Sequence, residues 1–237
     1  MNNLVKKSKK QMNSYLISFT KYWLTDASFL TQFFILVFSV FVLPILIEYG
    51  HNGSVFISSS FLFLFFTGIW STRKPAIITL ITVLFFVQLA LRLIRFSNFE
   101  FEFYLIERLV GLLNMLAFIL VNLRQLFRDE EVGFYRVIGA VNVYLLVAIL
   151  GAFLYEVIYI TTGTGIGGEV VLKGLDKDFS TYIYFSMVSM TTVGFGELYP
   201  IHIMSKMLSV FLSMIGILYP TVIIAKLVSG SNLLKNR

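Results

Sequence analysis

Apolar runs, each near the roughly 20 residues that a helix needs to cross a bilayer, alternate with short polar clusters along this chain. Windowed apolar content places candidate spans at 29–48, 54–71, 76–95, 103–123, 137–160 and 201–229,. The pattern predicts an all-α membrane protein with six transmembrane helices. The interval between the fifth and sixth spans, roughly forty residues, is far longer than a tight helix connection. Its first half, TTGTGIGGEVVLKGLDKD, is glycine-rich and polar and reads as an exposed outer loop. Its second half, FSTYIYFSMVSM, is apolar but too short to span, which fits a re-entrant helix that enters the membrane and stops partway.

TTVGFGELYP follows that short helix at residues 191–200. Non-helical backbone at membrane depth is tolerated only where protein buries it or where it lines water, so this stretch implies a cavity. Gly194 and Gly196 can adopt positive φ, and their alternation with Val193 and Phe195 lets successive carbonyls point the same way. Such a row can replace a cation's hydration shell.

Composition strengthens the membrane reading. Of the 237 residues 57% are hydrophobic and only 14% charged, well below the usual quarter. No cysteine is present, which excludes disulfides, thiolate metal sites and cysteine nucleophiles. His51 and His202 lie far apart and read as interfacial polar residues. The net charge of +6 comes from basic residues beside apolar spans, where they determine topology, so nucleic acid is not an expected partner. No His/Glu metal pair, nucleophile with a base, or intramembrane carboxylate dyad occurs, so an enzyme is not expected.

Residues 1–28, with LVKKSKK followed by Tyr15, Tyr22 and Trp23, contain no secretory apolar region or cleavage site. They read as a cytoplasmic segment or an interfacial helix. Lys6, Lys7, Lys9, Lys10, Arg73, Lys74, Arg124, Arg128 and Arg136 then fall on the inner side. Arg92, Arg95, Arg108, Lys173, Lys177 and Lys206 fall on the outer side with Glu48, Glu100, Glu102, Glu107, Glu169, Asp176, Asp178 and Glu197. That asymmetry predicts a multi-pass protein of the plasma (inner) membrane with both termini cytoplasmic. Inner basic residues also offer contacts to anionic membrane lipids.

T-T-V-G-F-G-E-L-Y-P resembles the potassium-channel selectivity filter, for which TVGYG is the general pattern. The resemblance extends back through YFSMVSM, similar to that family's pore helix, and forward to Pro200 opening the inner helix. It covers residues 137–230 well, whereas residues 1–136 resemble the family's peripheral domain only in span count. The likeness is to a prokaryotic-type, six-transmembrane, voltage-gated-like channel with one pore loop per subunit. It implies a cytoplasmic segment at 1–28, a four-helix peripheral domain at 29–136, a pore domain at 137–230 and a cytoplasmic tail at 231–237. Within the pore domain it implies a pore helix at 179–191, a filter at 192–196 and an inner helix at 201–229. Because each chain holds one hairpin, a homotetramer is implied.

The resemblance puts K+ sites on the carbonyls of Thr192, Val193, Gly194 and Phe195, with the Thr192 hydroxyl closing the innermost and Gly196 shaping the outer mouth. Thr191, Glu197 and Tyr184 would support the filter, Tyr184 by a hydrogen bond to Glu197, and Phe185 would join Tyr184 in an aromatic collar or simply pack. Phe195 stands where the family has tyrosine and Glu197 where aspartate is usual. Asp178 or Ser180 is a candidate cap for the short helix. In VFLSMIGILYPTVIIAKLV, Gly216 and Pro220 interrupt the helix interior,. The resemblance makes Gly216 a hinge, and small-residue packing is the competing reading. Ile217, Thr221, Ile224 and Val228 recur at helical spacing and are candidates for the inner cavity and gate.

A voltage sensor needs several basic residues along one span. FYLIERLVGLLNMLAFILVNLRQLF has only Arg108 near its outer end and Arg124 near its inner end, and Arg92 and Arg95 sit at a span edge from which they can snorkel outward. The expected function is passive K+ conduction with weak or no voltage dependence. The alternative is a poorly selective monovalent cation channel. No cofactor is expected beyond K+ as permeant ion, nor a cytoplasmic ligand-binding domain after the last span, and a separate regulatory protein stays open.

Overall fold

The computed structural model describes residues 28–49, 53–70, 75–96, 103–127 and 133–235. Six long helices form at the six apolar runs: α1 (Ser28–Glu48), α2 (Gly53–Trp70), α3 (Pro75–Phe96), α4 (Tyr104–Leu126), α5 (Phe134–Thr162) and, after a short helix α6 (Phe179–Met190), α7 (Ile203–Lys235). Among the described residues, α1, α3, α4, α5 and α7 are long and apolar enough to cross a membrane. The protein is therefore a helical membrane protein. The reading of residues 1–27 lies outside the described residues.

Local chemistry explains several helix details. Pro44 lacks the N–H that would bond the carbonyl one turn back and its ring crowds that carbonyl. Just before it, α1 relaxes into a π-helical turn at Phe38–Val42, which re-spaces the hydrogen bonds. α3 begins on Pro75, where a missing N–H is harmless. α5 stops at Gly163, whose φ of 73° suits a left-handed cap, and its N–H bonds the Tyr159 carbonyl at 2.8 Å,.

α5 is the hub. Of the residues in its most apolar stretch 61% are buried, against 11% in α7. An aromatic cluster joins three elements: Phe61 of α2 meets Phe153 of α5 at 5.0 Å and Phe179 of α6 at 5.5 Å between ring centroids. In lipid, helix association depends on close packing and interhelical hydrogen bonds, and small residues provide the approach. A side chain at Gly139 would press on the Phe29 ring, and one at Gly151 would collide with Ser186 and Leu212. Asn142 donates to the Phe29 carbonyl at 2.7 Å, which fixes the start of α1 against α5.

The segments flanking α6 hold structure that their composition concealed. Ile166–Gly168 (β1) pairs antiparallel with Leu198–Pro200 (β2), in the register Ile166 to Pro200 and Gly168 to Leu198. Pro200 therefore lies in a strand, and α7 begins three residues later at Ile203. α6 ends at Met190, one residue short of the expected 191, because Thr191 already turns. At the other end α7 continues to Lys235 through the expected tail, since a lone glycine at 230 costs only about 1 kcal/mol.

Candidate ion pathway and its flanking charge cluster

α6 has 12 residues, about 18 Å of helix, too short to cross a bilayer. Its exit is tied back: the N–H groups of Thr191, Thr192 and Val193 bond the carbonyls of Met187, Ser189 and Val188 at 2.8, 3.2 and 3.2 Å. Thr191 also donates its hydroxyl to Met187 at 2.8 Å. These bonds turn the amides of the segment toward the helix. Among the described residues no hydrogen bond reaches the carbonyls of Thr192, Val193, Gly194 or Phe195.

Positive φ recurs at every second position, 59° at Thr192, 53° at Gly194 and 97° at Gly196. Such alternation of handedness lets successive carbonyls point the same way. For glycine this is free. For Thr192, β-branched and the one non-glycine residue with positive φ among those described, it costs on the order of 1–2 kcal/mol. Strain of this kind persists where surrounding structure enforces it and concentrates at ligand clamps.

Behind the segment, polar side chains hold α5, α6 and α7 together. Ser186 donates to the Ala148 carbonyl at 2.7 Å, and Ser213 to the Ser189 carbonyl at 2.8 Å. Tyr155 and Ser209 share a 2.7 Å hydrogen bond. Gly216 lies against the last carbonyl of α6, where any Cβ would overlap the Met190 oxygen. Tyr184 donates its hydroxyl to Glu197. Phe185 is buried and packs on Tyr155 at 4.9 Å, whereas Tyr184 is exposed.

The segment's other face is bare. Val193 is 51% and Phe195 73% exposed. Ile217, Thr221 and Ile224 share an exposed face of α7 with Met207, Phe211 and Met214, and α7 runs without a break through Pro220. The Val228 side chain lies outside the described residues. Asp178 does not cap α6; its carboxylate instead accepts the backbone N–H groups of Lys173 and Gly174, both at 2.7 Å.

Where the end of α3, the start of α4 and the end of α5 meet, three arginines and three carboxylates form a buried cluster. Arg92 meets Glu107 at 2.7 Å, and Arg95 meets Glu107 at 3.4 Å and Asp176 at 2.7 Å. Arg108 pairs with Glu156 at 2.8 Å and with Asp176. Tyr104 donates to Glu156 and accepts from Arg108 at 2.7 Å. Arg92 is only 4% exposed, so it does not snorkel outward as its position at the span edge predicts. Glu156 is held by α4, and the loop reaches it through Arg108. Burial alone would raise the Asp176 pKa, but Arg108, Arg95 and Arg92 outweigh it and hold that carboxyl below the ordinary aspartate range. That these charges lie near the ends of their helices was legible in sequence; their pairing was not.

Among the described residues no group of three or more His, Asp or Glu side chains is placed to hold a metal ion. No curated protein and no solved structure matches the chain. Residues 137–229 match the family model described as ion channel, a stretch that runs from α5 through the carbonyl row into α7. Over that stretch the chain is similar to an ion channel domain, which supports passive ion conduction.

Proposed function

We propose that four copies of this chain surround a common axis and conduct K+ selectively, with the carbonyls of Thr192, Val193, Gly194 and Phe195 as the ion sites. The observation that carries this reading is the row of carbonyls without hydrogen-bond partners, set by alternating φ along an exposed edge. A single row cannot dehydrate an ion; rings of carbonyls can, and the exposed apolar face of α7 beside the row is what neighbouring copies would cover. All six long helices span the membrane, α2 included, since its 18 residues give about 27 Å of helix. Both termini are cytoplasmic and the charge cluster is on the outer side.

In this assembly Gly196 shapes the outer mouth. Thr191 and the Tyr184–Glu197 hydrogen bond hold the filter's flank. Ile217, Thr221, Ile224 and Val228 line the inner cavity, and Gly216 and Pro220 are where α7 adjusts during gating. Gly216 is backed onto the Met190 carbonyl, so movement there would be felt at the base of the filter. The paired state of Arg92, Arg95 and Arg108 supports weak or absent voltage dependence, because these charges are locked to carboxylates at one end of the helices.

The experiment is K+ flux into liposomes containing the purified protein, beside a Gly194→Ala variant. A Cβ at φ of 53° costs about 1–2 kcal/mol per chain, and four together remove the flux. Undiminished flux in that variant would place the pathway elsewhere.

A further inference from the structure

Of the positive φ angles along the 192–196 segment, those at Gly194 and Gly196 need no support, since glycine adopts them freely. Thr192, at 59°, is a β-branched residue in a region that L side chains disfavour. Neighbouring structure has to enforce it, and the Thr192 amide shows where that hold lies. Its N–H donates to the Ser189 carbonyl at 3.2 Å. The same oxygen accepts the hydroxyl of Ser213, on α7, at 2.8 Å. The shorter contact comes from α7, so Ser213 sets where the oxygen stands and Thr192 follows it.

α7 is a firm place for such a hold. One turn before Ser213, Ser209 shares a 2.7 Å hydrogen bond with Tyr155 of α5, which is fully buried. Three residues after it, Gly216 lies against the Met190 carbonyl with no room for a Cβ. These contacts fix α7 against α5 and α6 on both sides of Ser213. The Ser213 hydroxyl also lies 2.9 Å from the Ser209 carbonyl, four residues back in its own helix, where a helical serine commonly bonds. One hydrogen thus serves two acceptors, and the contact to α6 competes with a local one. A residue without the hydroxyl would leave the Ser189 oxygen no donor from α7.

We propose that Ser213 is a positioning residue for the innermost K+ site. It fixes the Ser189 carbonyl, the carbonyl fixes the Thr192 amide, and the amide fixes the φ at which Thr192 presents its carbonyl and hydroxyl to the ion. Ser213 itself touches no ion. The inference rests on the reading of residues 192–195 as K+ sites and assigns an α7 side chain to the first of them.

The test is the unfolding temperature of the purified assembly in detergent as NaCl is replaced by KCl at constant ionic strength, which keeps charge screening fixed. An ion that binds the folded assembly raises that temperature by mass action, so the K+ concentration at which the rise sets in tracks its affinity. Ser213→Ala is expected to move that onset to at least about five-fold more K+, the worth of one hydrogen bond. Ser213→Thr, which keeps the hydroxyl, should stay near the wild type. Ser186→Ala removes the hydrogen bond from α6 to the Ala148 carbonyl; it should lower the unfolding temperature equally in both salts and leave the onset in place. An onset unchanged by Ser213→Ala, or moved as far by Ser213→Thr, overturns the inference. So does an equal displacement in Ser186→Ala, which would trace the effect to general loosening of α6. A wild type that K+ and Na+ stabilise alike overturns the K+ sites themselves and this inference with them, whereas the other failures leave the sites standing.

Discussion

The charge cluster and the carbonyl row are two polar regions of an apolar molecule, and they are satisfied in opposite ways. Three guanidinium groups and three carboxylates neutralise one another inside a single chain, buried among α3, α4, α5 and the turn before α6. The carbonyls of residues 192–195 find no partner among the described residues, and beside them α7 has only 11% of its apolar stretch buried, against 61% for α5. A region completed within one chain answers to its own side chains. On the proposed reading the open region is completed by other copies and by ions, so damage to it should show in transport before it shows in the fold of the chain.

The largest expected effect breaks the closed region. Arg108→Gln leaves Glu156 and Asp176 buried without their shared cation, and removal of one partner from such a group destabilises by about 3–5 kcal/mol. Thermal unfolding of the purified protein in detergent measures it, and Arg108→Gln with Glu156→Gln should recover part of the loss. Loss of ion selectivity with unchanged stability would put Arg108 in the wrong region.

A smaller effect is expected where the two regions meet. Gly216→Ala forces a methyl group against the Met190 carbonyl, and overpacking of this kind costs about 1–3 kcal/mol. Flux should fall along with the unfolding temperature, because the displaced atom is the last carbonyl of α6, where the 191–196 segment begins. Unchanged flux and stability would mean that α6 and α7 approach less closely than their packing indicates.

How far these regions can be read in advance differs for a physical reason. The carbonyl row is a local device: glycines at 194 and 196 declare the backbone they permit, and a helix too short to span declares the re-entrant turn. The six long helices are equally local, each announced by its own apolar run. The charge cluster is tertiary, since Arg95 and Asp176 are 81 residues apart and nothing in either neighbourhood names the other. The β1–β2 ladder was hidden by Gly167 and Gly168, which read as loop; a Cβ at Gly168 would overlap the Glu197 carbonyl. Gly216 shows the intermediate case: its importance was visible, but the carbonyl it packs against was not.

A finer probe of the open region is Tyr184→Phe, which removes the hydroxyl that holds Glu197. One exposed hydrogen bond is worth about 1 kcal/mol, so selectivity should persist while currents decay at a different rate during prolonged opening. Single-channel recording of open-time distributions checks this, and distributions identical to the wild type would remove Tyr184 from filter support.

The smallest effect concerns pH. Asp176 has its folded pKa depressed by three arginines, so its contribution is fully present above the ordinary aspartate value of about 3.9 and is lost only as pH falls through the lower folded value. Between pH 7 and 5 its contribution to the unfolding temperature should not change, and Asp176→Asn should differ from the wild type by the same amount at both. A difference that shrinks over this interval would mean that the arginines do not hold this carboxylate.

The central claim is that the open region is a K+ filter completed by four copies, and the reversal potential of the reconstituted protein under opposed K+ and Na+ gradients tests it most directly. The account predicts a reversal potential near the K+ equilibrium value, shifting in sign when the two gradients are exchanged. A potential that stays near zero through the exchange would contradict it and leave a cation pathway that does not distinguish the two ions.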